Sequence, residues 1–353
     1  MKEIDHILEK EISSNRSPSV QYYFFDRKDI IASFMKGYSD IANLSDVNTE
    51  TTYHAFSVTK TFTALAILQL MESGKIDIDK PAIHYLPDFP YGGQITVRHV
   101  LTHSAGIPNP IPLNWIHLRT EKENYDRQAF YRGLLQKHNT PKSEPNARFV
   151  YSNIGYAILG DLIEQITGTT YEAYITERII QKLPTNPGDL AFTMGDTSRH
   201  ARGYHNRFTF SYFLLGFFID RSKFMGKNAG RWKPFKDYYV NHPAYGGLIG
   251  SPSAFVKYIQ ELLSDETRLI SKENKALLFQ ENRDNRNKAT GMCLSWFIGQ
   301  LNGKTYFTHA GGGGGYYCEI RLYPELGKGS VIFFNRTGMR DERFLDKVDG
   351  FYI

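Results

Sequence analysis

Cysteine is scarce in this chain. Of 353 residues only Cys293 and Cys318 carry a thiol, so disulfides hold little together and no zinc motif can be built from cysteine. Charge of one sign is scarce too: 42 Lys and Arg face 37 Asp and Glu, a formal net charge of +5. The basic residues read as scattered, which argues against nucleic acid as the main partner. No apolar run approaches the ~20 residues needed to cross a bilayer, and the longest, Phe210 to Ile219, is about half that. The start, Met1-Lys2-Glu3-Ile4-Asp5-His6, has no apolar stretch and no small-residue cleavage site. No transmembrane segment is expected. The chain reads as cytoplasmic, or as periplasmic or secreted if a leader has been removed.

Apolar residues are plentiful, at 41%, and aromatics reach 14%, enough for a sizeable core. The length exceeds what one core usually fills, so two subdomains are expected. Val20 to Phe25 and Ile30 to Phe34 predict a hairpin turning at Asp26-Arg27-Lys28-Asp29. A helix is predicted from Ser57 to about Ser73, stopped by Gly74; it is apolar nearly all round and therefore buried. A second runs from Ile154 to Ile166 and ends at Gly168. Strand texture returns in Cys293 to Ile298, Lys304 to His309, Tyr316 to Tyr323 and Ser330 to Asn335, with Asn302-Gly303 as a hairpin turn. The expected α+β organisation is a discontinuous sheet domain, 1–75 with 285–353, around a mainly helical insert, 76–284. An aromatic-rich insertion at about 204–245, with Phe208, Phe210, Phe213, Phe217 and Phe218, reads as extra core on that insert. An apolar lid, an acyl-binding wall or a dimer contact is the sharper alternative.

Three short motifs carry the chemistry. Ser57-Val58-Thr59-Lys60 sets a serine three residues before a lysine at a helix start, where positions three apart share a face. The helix N-terminus also offers unpaired N–H groups to a developing alkoxide. Ser33-Phe34-Met35-Lys36 has the same spacing, but on a strand its serine and lysine point to opposite faces. Tyr151-Ser152-Asn153 stands directly before a helix, unlike Tyr204-His205-Asn206 and Tyr239-Val240-Asn241. His309-Ala310-Gly311 ends a strand and enters the glycine run Gly311 to Gly315, where a substrate could lie along bare backbone.

In order and context these motifs resemble the serine β-lactamase and penicillin-binding superfamily, closest to its class C branch of β-lactamase-related esterases and peptidases. The likeness extends over Phe56 to Lys75, Ile95 to Ile107, Tyr151 to Gly168, Ala244 to Ser251 and His309 to Tyr323. It implies the β-lactamase/transpeptidase-like fold: an antiparallel sheet flanked by helices, with an inserted mainly helical domain. It implies Ser57 as acylated nucleophile, with Lys60 and Tyr151 sharing the proton transfers. Asn153 would bind a substrate amide or hold Lys60, and His309, Gly311 and Gly312 would bind substrate. The N–H groups of Ser57 and Gly312 would form an oxyanion hole. A serine hydroxyl is a poor nucleophile until a neighbour takes its proton. An ordinary lysine (pKa ~10.4) must fall to near 7, a change worth about 4 kcal/mol, to do so. Either Lys60 as neutral amine or Tyr151 as phenolate could serve.

One departure bears on substrate. Superfamily members that act on β-lactams commonly carry lysine where this chain has His309, and histidine (pKa ~6.5) is mostly neutral at pH 7. Esters, amides or peptides lacking a carboxylate become the more plausible substrates. The expected function is therefore an esterase- or amidase-type serine hydrolase acting on a small-molecule or peptide acyl substrate. The alternatives are a DD-peptidase or β-lactamase, or a non-catalytic penicillin-binding-type sensor. No cofactor is expected. His99 and His103, four apart, lack a third ligand and are not read as a metal site. The glycine run lacks the lysine and helix of a phosphate loop. A homo-oligomer is possible.

Overall fold

The computed structural model describes residues 2–337 and 343–353. Helix α1 (Lys2–Ser13) precedes strands β1 (Ser19–Asp26), β2 (Ile30–Asp40) and β3 (Ser45–Asp46). Helices α2 (Thr59–Glu72), α3 (Asn153–Thr167) and α4 (Pro252–Leu263) occupy the middle. Strands β4 (Phe297–Leu301), β5 (Lys304–Gly313), β6 (Tyr316–Tyr323) and β7 (Lys328–Phe334), then the short α5 (Asp346–Asp349), close the chain. These seven strands form one antiparallel sheet in the order β4-β5-β6-β7-β1-β2-β3. Strand β1 pairs with β7, from Val20 opposite Phe334 to Asp26 opposite Lys328, so the two ends of the chain meet at mid-sheet.

Side chains alternate across that sheet and both faces are covered. Tyr23, Phe25, Val331 and Phe333 enter the larger core with α2 and α4; the Phe255 ring of α4 lies 5.2 Å from that of Phe333. Val20, Tyr22, Phe24 and Ile332 face the other way, onto Ile4 and Leu8 of α1 and Val348 of α5. This two-sided burial explains why β1 reads as an almost unbroken apolar run.

The turns follow their residues. The Asp26 carboxylate accepts from the N–H groups of Lys28 and Asp29, both at 2.8 Å. Asn302 and Gly303 both take positive φ, 50° and 75°, as a two-residue hairpin requires. The expected strand over Cys293 to Ile298 is corrected: Ser295 has φ 73°, Cys293 N–H turns back to the Trp296 carbonyl at 2.7 Å, and β4 begins only at Phe297. The first predicted helix also begins later, at Thr59, with Phe56–Val58 as a preceding 3₁₀ turn.

The aromatic excursion leaves on strand Tyr204–Asn206, which pairs with Trp232–Pro234, and returns on Tyr238–Val240, which pairs with Ile116–Leu118. Between them lie the short helices Phe210–Leu215 and Arg221–Phe224. Its reading as core holds only in part. Leu215, Ile219 and Phe224 are buried, whereas Phe208, Phe210, Phe213, Phe217 and Phe218 are exposed.

Candidate active site

Ser57 sits in the 3₁₀ turn, where positions i and i+3 nearly eclipse, and Lys60, fully buried, follows one turn later at the start of α2. The Lys60 Nζ lies 3.1 Å from Ser57 Oγ and donates to Asn153 Oδ1 at 2.8 Å and to the Tyr245 carbonyl at 2.6 Å, which leaves the lone pair of a neutral amine for the serine hydroxyl. All three partners are neutral. Burial without a counter-charge pushes the amine well below the usual lysine range. The rings of Tyr151, Tyr156 and Tyr245 surround it, with centroids 5.1, 5.5 and 5.7 Å from Nζ.

Helix α3 brings in the second motif. Ser152 caps it, its Oγ accepting from Gly155 N–H at 3.0 Å and donating to the Pro108 carbonyl at 2.9 Å. This cap sets Asn153 at the first helical position, facing Lys60 across the cleft. The Asn153 amide group donates in turn to Asn109 Oδ1 at 3.1 Å, which fixes Oδ1 as the atom turned toward the amine. Tyr151 lies just outside the helix and is half-buried.

The third motif is held by contact of backbone with backbone. A Cβ added to Gly311 would stand 2.0 Å from the Ala55 carbonyl oxygen, so only glycine lets β5 come this close to the turn that carries Ser57. Gly312 meets nothing nearer than 3.7 Å in the same test, leaving its backbone bare beside Ser57 at the wall of one cavity. Phe56, next to Ser57, takes φ 44°, a left-handed conformation unusual for a phenylalanine. Its ring lies against Gly313 and Gly314.

His309 is 1% exposed yet lines the cavity. Its Nδ1 donates to the Ala310 carbonyl at 2.8 Å, which assigns the lone pair to Nε2, a buried atom with no hydrogen-bond partner among the described residues. Burial, helped by the nearby Lys60, pushes the imidazole down to about 3. It is therefore neutral at pH 7.

The structure thus gathers Ser57, Lys60, Tyr151, Asn153, His309, Gly311 and Gly312 around one cleft. It disperses the duplicates: Ser33 is exposed on β2, where Lys36 pairs with Glu9 at 2.6 Å. His99 and His103 also part. The His99 ring accepts from Thr96 N–H at 3.2 Å and completes a helix cap. His103, at φ 54°, accepts the Ser152 N–H on Nδ1 at 3.0 Å and places its ring 4.2 Å from that of Tyr151.

Several of these neighbours escape sequence reading. His103 orients Tyr151, Asn109 orients Asn153, and Tyr245 contributes only a backbone carbonyl. Tyr238 donates to the Gly314 carbonyl at 2.9 Å and stacks on His54 at 4.6 Å, bracing the glycine run from behind. None has a characteristic spacing; of the four, His103 and Tyr245 lie within segments that the family resemblance covers, Ile95 to Ile107 and Ala244 to Ser251, and Asn109 and Tyr238 do not.

The cavity, about 750 Å³, has an apolar end built from Leu113, Trp115, Ile116, Leu215, Phe235 and Val240. Arg343 is its single Lys, Arg, Asp or Glu lining residue among those described.

Comparison with known proteins agrees with this architecture. Penicillin-binding protein 4* of Bacillus subtilis is 25% identical over 315 residues, covering 87% of this chain and 66% of its own. Protein flp of Staphylococcus aureus (strain N315) is 28% identical over 210 residues, 58% of this chain and 41% of its own. The chain therefore spans 66% and 41% of these curated relatives' lengths. Solved structures share the fold. The octameric penicillin-binding protein homologue from Pyrococcus abyssi has a TM-score of 0.74 at 24% identity, covering 96% of this chain and 74% of that one. D-amino acid amidase from Ochrobactrum anthropi SV3, complexed with L-phenylalanine amide, gives 0.74 at 20%, over 98% and 93%. EstCE1, a hydrolase with promiscuous acyltransferase activity, gives 0.75 at 18%, over 100% and 98%. The family model described as Beta-lactamase matches residues 4–350, and the chain belongs to that family.

Proposed function

We propose that this protein is a serine hydrolase of esterase or amidase type that works through an acyl-Ser57 intermediate. The observation that carries the proposal is the 3.1 Å contact between Ser57 Oγ and a buried, uncompensated Lys60 amine. A neutral amine there takes the Ser57 proton as Oγ attacks the substrate carbonyl carbon. The resulting oxyanion is received by the N–H groups of Ser57 and Gly312. The proton then passes, through Lys60 and Tyr151, to the departing alcohol or amine. Water attacks the acyl-serine by the same route in reverse, releasing the acid and restoring the hydroxyl. Asn153 holds the amine in place rather than touching substrate.

Substrate class follows from the walls of the cavity. Its apolar end suits an acyl group, and neutral His309 offers no fixed charge to a carboxylate. A second reading rests on one observation: Arg343 lines the same cavity and could receive the carboxylate of a penicillin or a D-alanyl peptide. Turnover of neutral p-nitrophenyl esters of increasing acyl length, beside nitrocefin and a D-alanyl-D-alanine peptide, decides between them. The esters are expected to show a kcat/KM higher by at least about tenfold, rising with acyl length. Preference for the carboxylate-bearing substrates, lost on Arg343→Gln, would overturn the ester reading.

A further inference from the structure

The aromatic excursion from residue 207 to 236 sends Leu215, Ile219, Phe224, Met225 and Phe235 into the core but leaves its other phenylalanines at the surface. Phe208, Phe210, Phe213 and Phe217 are 70, 74, 58 and 73% exposed, with Leu214 and Phe218 at 40% each. Three of them form one patch: the Phe213 ring lies 6.3 Å from Phe210 and 5.4 Å from Phe217. Water is a poor solvent for such a cluster, and apolar patches of this kind mark places where something docks. The same thirty residues hold Arg207, Arg221, Lys223, Lys227, Arg231, Lys233 and Lys236 against Asp220 alone. That surplus of six exceeds the +5 of the entire chain, so the rest of the molecule is close to neutral. Among the described residues only Lys223 pairs with a carboxylate, Glu121 at 2.7 Å.

We infer that this excursion docks the protein onto an anionic lipid surface, with the phenylalanines entering the boundary between headgroups and acyl chains. Phenylalanines between basic residues are the composition that such a boundary accepts. Charge argues against a second copy as occupant: a two-fold contact would bring two surpluses of the same sign together. Among the described residues no helix is long and apolar enough to cross a membrane; the attachment inferred is the one these exposed side chains would make. The buried side of the excursion adds a consequence that rests on the hydrolase reading. Leu215 and Phe235 line the cavity that holds Ser57, so residues of the docking element also wall the acyl end of the site. The substrates it admits are then acyl esters that partition into lipid.

The test is flotation of the full chain with vesicles of phosphatidylglycerol and phosphatidylcholine in equal parts, and with phosphatidylcholine alone. The chain is expected to float with the anionic vesicles and to be released by salt. Phe210→Ser/Phe213→Ser/Phe217→Ser and, separately, Arg207→Glu/Lys227→Glu are each expected to reduce the bound fraction at least about tenfold. Both change exposed side chains, so circular dichroism should show the same melting as the parent. Ser57→Ala is expected to float normally, which separates docking from hydrolysis. Failure to float, or equal binding by parent and variants, would overturn the inference. So would a change of oligomeric state in the phenylalanine variant of a protein that ignores vesicles.

Discussion

Replacing Lys60 with Met is expected to reduce acylation of Ser57 by about 10²–10⁴-fold, the range of a positioned general base, while leaving the fold intact. The two halves of that expectation have separate causes. Methionine keeps the length of the side chain but offers nothing to take the Ser57 proton. For the fold, an amine held neutral here binds a proton in the unfolded chain, so Lys60 costs stability at every pH below its ordinary value near 10.5. Removing it relieves that cost, which offsets the donor lost to Asn153 Oδ1 and the Tyr245 carbonyl. Pre-steady-state acylation and thermal melting read the two effects. Unchanged acylation in a folded variant would remove Lys60 from the reaction and leave Tyr151 as the base. The parent's acylation rate should rise with pH through an apparent value below 10.5, since only the neutral amine accepts the proton.

Acid should unfold the protein abruptly. His54, His103, His200, His242 and His309 are all buried. Burial pushes His200, His242 and His309 down to about 3, and His54 and His103 well below the usual histidine value. The unfolded chain takes up these protons near pH 6.5, whereas the folded chain refuses those of His200, His242 and His309 until about 3 and holds His54 and His103 well below their usual value. The five therefore cost nothing above about 6.5 and weaken the fold progressively as pH falls toward 3. Each refused proton weakens folding by up to about 1.4 kcal/mol per pH unit. Asp161 and Glu319, raised by burial, and Asp349, raised by burial to about 6, act in the opposite sense, but they are three against five. With a typical total stability of about 5–15 kcal/mol, an unfolding midpoint near pH 4–5 is expected. Melting temperature measured from pH 7.5 to 5 should fall steeply below about 6. A flat profile over that range would mean that these imidazoles are protonated in the folded chain.

Much of this molecule was legible before its structure. Ser57, Lys60 and Asn153 lie at helix starts, where local hydrogen bonding decides geometry, and periodicity located both helices. The central strands were legible because they are apolar on both faces. What failed, failed where local pattern competes with a turn: Cys293 to Trp296 look like a strand but bend at Ser295. The residues that orient the site were hidden for another reason. Asn109 and His103 reach it from a loop distant in sequence, and Tyr245 from the short helix Pro243–Gly246, through a carbonyl that every residue possesses. The phenylalanines of 208–218 were misread as core because composition does not say which side of an element faces water. Their basic neighbours looked scattered along the chain until the excursion was seen to carry them together.

Exposure of the protein to a fluorophosphonate probe, followed by intact-mass and peptide mapping with Ser57→Ala run alongside, tests the central claim most directly. A single adduct on Ser57, absent from the variant, is predicted and would establish an activated nucleophile at this site. No adduct on well-folded protein, or one that persists in the variant, would contradict the claim; the first result would leave the cleft as the architecture of a sensor.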